Sequence, residues 1–161
     1  MVMKFSLSNF RTFSLLAASG VIAETHKVSF ENKCGKGTPQ LQQNGKTVSS
    51  GEPFTSNGPF EVAIAFLQTG ECGENGENCT LIETTLKNPT TPGSGSGSDI
   101  SLIPPHKFNV PAGFRYENGC DGRGQDCTTA DCPEAAHSPQ DPVEQLICEA
   151  DNVNLVITFC E

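Results

Sequence analysis

The chain has 161 residues, 10 basic against 19 acidic side chains, a net charge of −9, eight cysteines, no tryptophan and one tyrosine, Tyr116. That length suits a single domain. The acidic balance argues against nucleic acid or an anionic membrane as partner, since both need a basic surface, and no window reaches the roughly 18–20 apolar residues of a membrane span.

In chain order, Lys4 and Arg11 come first, beside an apolar run that extends to Val21-Ile22-Ala23. This pattern predicts a secretory signal peptide over residues 1–23, cut between Ala23 and Glu24, with a cut after Gly20 as the alternative. Residues 24–161 then form the mature domain, two units more acidic because Lys4 and Arg11 leave with the leader. Val28 and Phe30 alternate with Lys27, Ser29 and Glu31, a half-buried strand. Asn44-Gly45 and Asn118-Gly119 suit turns with positive φ. In the run from Phe60 to Leu67, Phe60, Val62, Ile64 and Phe66 are expected on one face and Ala63, Ala65 and Leu67 on the other. Leu81, Glu83 and Thr85 oppose Ile82, Thr84 and Leu86.

Residues 87–98, ending in Gly93-Ser94-Gly95-Ser96-Gly97-Ser98, read as a flexible loop. They match neither phosphate-loop pattern and contain no G-x-S-x-G elbow. Asp99, Ser101 and Ile103 oppose Ile100 and Leu102. At most a short helix fits around Pro133 to Ala136. Val153, Leu155, Ile157 and Phe159 then oppose Asn154, Val156 and Thr158. Short period-2 runs bounded by Gly, Pro, Asn and Ser, with no sustained 3.6-residue stripe, predict an all-β sandwich.

Cys34, Cys72, Cys79, Cys120, Cys127, Cys132, Cys148 and Cys160 all lie after the leader. An even number in a secreted domain predicts four disulfides. Zinc is disfavoured because no C-x-x-C pair exists and His26, His106 and His137 are scattered. Roughly a hundred pairings stay open on spacing alone. Asn78-Cys79-Thr80 is an N-x-[ST] sequon, so Asn78 is a weak glycosylation candidate. Asp121, Asp126 and Asp131 do not follow the EF-hand pattern and read as solvated loop acids. No metal or cofactor is expected.

Several segments, taken in order, resemble the thaumatin-like proteins, which include the plant pathogenesis-related proteins of family five. Val28-Ser29-Phe30-Glu31-Asn32-Lys33-Cys34 opens the pattern, and Thr69-Gly70-Glu71-Cys72-Gly73 follows. Asp99-Ile100-Ser101-Leu102-Ile103 runs into Phe108-Asn109-Val110-Pro111 and Phe114. Cys132-Pro133-Glu134-Ala135 and Pro139-Gln140-Asp141-Pro142 come next, and Val156-Ile157-Thr158-Phe159-Cys160 closes it. Full-length members carry twice as many cysteines and a second, disulfide-rich domain. Here four residues separate Cys127 from Cys132, where that domain would be inserted, so the chain looks like a short member, a type familiar among fungi. The resemblance implies a thaumatin-like β-sandwich with pairs Cys34–Cys160, Cys72–Cys79, Cys120–Cys148 and Cys127–Cys132. The bridge between the terminal strands closes a long loop, for which chain entropy gives roughly 4–5 kcal/mol.

The resemblance also implies an acidic cleft linked to β-1,3-glucan binding and, in some members, to endo-β-1,3-glucanase activity. Glu83 matches the cleft glutamate, Asp99 the aspartate of Asp-Ile-Ser, and Asp141 the aspartate after Pro-Gln. A further cleft aspartate and the cleft arginine have no counterpart. Glycoside hydrolysis needs two carboxylates across the scissile bond, for which the candidates are Glu83 as acid and Asp99 as its partner. Asp141 is then a binding neighbour and Tyr116 a stacking platform for sugar. The functional expectation is a secreted, monomeric protein at or outside the cell wall that binds β-glucan or another wall polysaccharide, with an antifungal or wall-remodelling role. Alternatives are a non-carbohydrate interaction protein, such as a hydrolase inhibitor, and a weak glucanase.

Overall fold

The computed structural model describes residues 23–143 and 145–161. The expected signal peptide lies outside these, apart from Ala23 at its end. The strands, in chain order, are β1 (His26–Asn32), β2 (Thr38–Gln43), β3 (Lys46–Ser49), β4 (Phe54–Ser56), β5 (Phe60–Gln68), β6 (Leu81–Leu86), β7 (Ser96–Ser101), β8 (Ala112–Glu117), β9 (Gly124–Cys127), β10 (Ala135–Ala136), β11 (Leu146–Cys148) and β12 (Asn154–Phe159). No helix occurs among the described residues.

The strands form two facing sheets. One has the order β4-β1-β12-β8-β9; the other has the order β10-β7-β6-β5-β2-β3, with β11 also pairing β7. Alternation along each strand sends one set of side chains inward. Val28, Phe114, Tyr116, Leu155, Ile157 and Phe159 from the first sheet meet Leu41, Ala65, Leu67, Ile82, Leu86 and Ile100 from the second. The chain is therefore an all-β sandwich, as its periodicity predicts. β2 and β3 turn through Asn44 (φ 51°) and Gly45 (φ 72°), a left-handed pair that this dipeptide accommodates.

Four disulfides staple the sandwich: Cys34–Cys160, Cys72–Cys79, Cys120–Cys148 and Cys127–Cys132. These are the pairs that the resemblance implies. β1 and β12 run parallel, with Asn32 opposite Phe159, so Cys34 and Cys160 meet just beyond the ends of adjacent strands.

Three local expectations are corrected. Phe60 does not share a face with Ile64 and Phe66. An irregularity between Phe60 and Ala63 shifts the register, and Val62 takes a left-handed φ of 55°. Phe60 thereby joins Ala63, Ala65 and Leu67 in the inner core, while Val62 is left 72% exposed. The segment at Pro133–Ala136 is no helix: Ala135 and Ala136 pair with Ile100 and Ser101 of β7. An open strand edge satisfies their main-chain groups, whereas a single helical turn is too short to be stable.

The Gly-Ser repeat is not a flexible loop throughout. From Ser96 onward it is β7, and all six residues of that strand are buried. The repeat has period two, so Ser96 and Ser98 face the core while Gly95 and Gly97 let Gln145 and β11 pack closely. A Cβ on Gly95 would stand 2.3 Å from the Cys148 carbonyl oxygen, and one on Gly97 would stand 2.8 Å from the Gln145 side chain. The two serines are structural. Ser96 Oγ accepts from Lys87 N and donates to Lys87 O, and Ser98 Oγ bonds Thr84 and Tyr116.

Candidate functional site

The outer face of the seven-stranded sheet carries the acidic pair. Ile82 and Ile100 point inward, so their neighbours Glu83 and Asp99 point outward. The register sets Glu83 directly opposite Asp99, with Ile64 of β5 on the other side of Glu83. Side chains in that relation sit about 4.5–5.5 Å apart at Cβ. The two side chains face each other across the strand pair, and Gln145 Nε2 donates to Asp99 Oδ1 at 2.9 Å. Asp99 is only 9% exposed. Burial first, and then the charge of Glu83, push its carboxyl up to about 6, partly opposed by the Gln145 bond. Asp99 therefore keeps its proton to a higher pH than an isolated carboxyl does.

Two shallow grooves meet beside this pair. One, of about 260 Å³, is lined by Val62, Ile64, Glu83, Thr85 and Gln145, among others. The second, of about 230 Å³, shares Thr85 and Gln145 and continues to Lys87 and the main chain at Gly93 to Gly95. Val62 forms part of the rim as an exposed β-branched residue in a strained backbone conformation. Such strain concentrates at functional positions and costs on the order of 1–3 kcal/mol.

The structure thus joins Glu83 and Asp99 but gives them unequal positions. Glu83 faces the groove, whereas Asp99 lies buried with the Gln145 amide bonded to it.

Tyr116 is corrected outright as a sugar platform. It is fully buried, its ring packs edge-on against Phe114, and its hydroxyl donates to the Leu146 carbonyl and is hydrogen-bonded with the Ser98 hydroxyl. Burial pushes its phenol up to about 12, so it remains a neutral internal donor. Asp141 is bonded within its own turn. It accepts from the main chain of His137 and Ser138 and from the Ser138 hydroxyl, contacts that hold its pKa below the usual range; no described contact joins it to the acidic pair. Asn78 is exposed at a φ of 61°, while Thr80 of its sequon is buried and donates to the Val110 carbonyl. No group of three His, Cys, Asp or Glu gathers for a metal among the described residues.

Gln145, Thr85 and Val62 were not legible as site residues. Gln145 stands 46 positions from Asp99 and carries no motif. The Gly-Ser alternation did hold a signal, because its period of two runs unbroken into Asp99-Ile100-Ser101.

In sequence and disulfide framework this chain is similar to the thaumatin-like proteins. The Thaumatin-like pathogenesis-related protein 4 of Avena sativa is 29% identical over 169 residues, which cover 92% of this chain and 95% of that protein. Among solved structures, the protein elicitor MoHrip2 from Magnaporthe oryzae aligns with a TM-score of 0.49 at 12% identity, over 86% of this chain and 100% of that one. No family model matches the chain.

Proposed function

We propose that this protein is secreted and binds a β-glucan of a cell wall, as a monomer, through the groove at Glu83, without hydrolysing it. The observation that carries this reading is the register pairing of Glu83 with Asp99 on an open outer face. Asp99 holds a proton more readily than an isolated carboxyl, so the pair presents both a donor and acceptors to sugar hydroxyls. The burial of Asp99 beside the Gln145 amide favours binding over hydrolysis, because Glu83 alone of the two lines the groove. Four disulfides fit an oxidising, extracellular setting, and the thaumatin-like relationship supports an antifungal or wall-remodelling role.

The test is retention on insoluble β-1,3-glucan. The parent protein is expected in the pellet, with Glu83→Gln and Gln145→Ala retained several-fold less, and no reducing ends released from laminarin. Failure of the parent to pellet overturns the binding reading. Laminarin cleavage that disappears in Glu83→Gln overturns the non-hydrolytic part.

A further inference from the structure

The outer face of the five-stranded sheet, across the sandwich from Glu83, holds a groove of different chemistry. Ile157 and Phe159 are core residues, so Thr158 between them points outward. The register sets Thr158 opposite Gly113, and Gly113 opposite Asp126. Gly113 contributes no side chain, and the Asp126 carboxylate folds over it: a Cβ there would stand 2.0 Å from Asp126 Oδ1. The cavity beside them measures about 150 Å³ and is lined by Arg115, Gly124, Asp126, Thr158 and Glu161, among others. A smaller pocket shares Asp126, Thr158 and Glu161.

The acceptors that line this groove lack donors. Thr158 is 3% exposed, and its hydroxyl makes no hydrogen bond among the described residues. The unpartnered side-chain atoms sealed from solvent are Gln42 Oε1 and Gln125 Oε1; the Thr158 hydroxyl is not one of them, so it opens to the groove. Asp126 makes no side-chain hydrogen bond either. Burial first, and then the charge of Glu161, raise its carboxyl; Arg115 opposes them and Glu134 adds to them. Arg115 is committed elsewhere. Its Nη2 donates to Glu31, and its Nε stands 3.9 Å from Glu117. Lys33 bonds one oxygen of Glu161. The other oxygen lies 4.0 Å from Arg115 Nη1, beyond hydrogen-bonding distance. A buried polar side chain left unmatched is among the few in a folded protein that need an explanation.

We infer that this groove is a binding site for the primary ammonium group of a lysine side chain presented by a partner polypeptide. An ammonium carries three N–H donors and no acceptor, which matches one hydroxyl and two carboxylates. Its flexible four-carbon stem suits a narrow cavity with a recessed acceptor. An amino sugar carries its amine on the ring itself, without such a stem to reach so recessed a hydroxyl. A guanidinium prefers the paired oxygens of one carboxylate, whereas the acceptors here come from β9, from β12 and from Glu161 beyond it. A metal ion is also a poorer match, since among the described residues no three His, Cys, Asp or Glu side chains gather to hold one. The protein's charge of −9 draws a cationic partner towards it.

The experiment is a nuclear magnetic resonance titration of the isotope-labelled, disulfide-intact protein. The probe is acetyl-Gly-Lys-Gly-amide, set against its acetyl-lysine and arginine counterparts, a glucosamine hexamer and calcium chloride. The lysine peptide is expected to shift the Gly113, Gly124 and Thr158 amide signals in a saturable way below about 10 mM. The other four are expected to bind at least about tenfold more weakly. Asp126→Asn is expected to weaken lysine-peptide binding about tenfold. Thr158→Val, which keeps the shape and loses the hydroxyl, is expected to weaken it about threefold or more. Should Thr158→Val fail to fold, Asp126→Asn carries the test, because Asp126 is an exposed residue. In Glu83→Gln the same shifts persist, which separates this site from the acidic pair and from the glucan reading. The inference is overturned if the lysine peptide moves none of these signals by about 10 mM. It is equally overturned if any of the other four probes moves them as strongly, or if Asp126→Asn leaves the binding unchanged.

Discussion

The strip formed by β6 and β7 and the strip formed by β2 and β5 lie on one face of one sheet, yet they solve opposite problems. On the first, two carboxyls face each other beside Gln145, and the local difficulty is excess negative charge. On the second, the Gln42 amide donates to the Glu74 carbonyl, and the difficulty is its oxygen, an acceptor without a partner. Between them sits a small apolar cluster of Phe66, Leu81 and Cys79 with Ile64 and Cys72, roofed by the Cys72–Cys79 loop. The comparison teaches that the raised carboxyl belongs to the first strip, so a pH change around 6 addresses that strip first.

The largest expected effect comes from removing the divider. Phe66 is buried in that cluster, at the border of the two strips. Phe66→Ala is expected to cost about 3–5 kcal/mol in chemical denaturation. The titration of Asp99 should stay where it is; if its midpoint moves, the two strips are a single coupled unit.

Next comes Asp99 itself. Its folded pKa is raised from 3.8 to about 6, chiefly by burial and then by Glu83. Below about pH 4 both the folded and the unfolded chain hold the proton, and the group's stabilising contribution is complete. As pH climbs towards 6 and beyond, the unfolded chain releases the proton first, so that contribution is lost. Asp99→Asn, which keeps an oxygen for Gln145, is expected to stabilise the protein by up to about 3 kcal/mol at pH 7 and by less than about 1 kcal/mol near pH 4. Denaturation curves recorded at both pH values check this, and an equal effect at the two would break the assignment.

The smallest effect concerns Val62 on the rim. Val62→Gly relieves a left-handed β-branched residue that buries little, and a net gain of about 0.5–1 kcal/mol is expected. Retention on β-1,3-glucan should fall at the same time, because the rim loses its apolar contact. A gain in stability with undiminished retention would detach Val62 from the site.

Much of this molecule was legible in the chain alone. Period-2 runs from Val28 to Phe159 specify strands because inward and outward residues alternate in any pleated sheet. Asn44-Gly45 specifies its hairpin because both residues tolerate positive φ. The match of Glu83 and Asp99 to an acidic cleft came from resemblance, and the register then made them neighbours. Other features depended on residues distant in sequence. Whether Tyr116 met solvent or Ser98 was decided by which face of β8 turned inward. Whether the Gly-Ser repeat was loose or a buried strand was decided by β11 and Gln145 closing over it. The unpaired oxygen of Gln42 depended on the Glu74 carbonyl 32 positions away.

Local preference and alternation, then, determined the sandwich, its turns and the candidate acids. Tertiary structure alone decided which acid is buried, where the proton is held and which amide keeps an empty acceptor. Those properties depend on desolvation and on hydrogen-bond partners brought together from distant parts of the chain, and neither can be read from the order of residues along one strand.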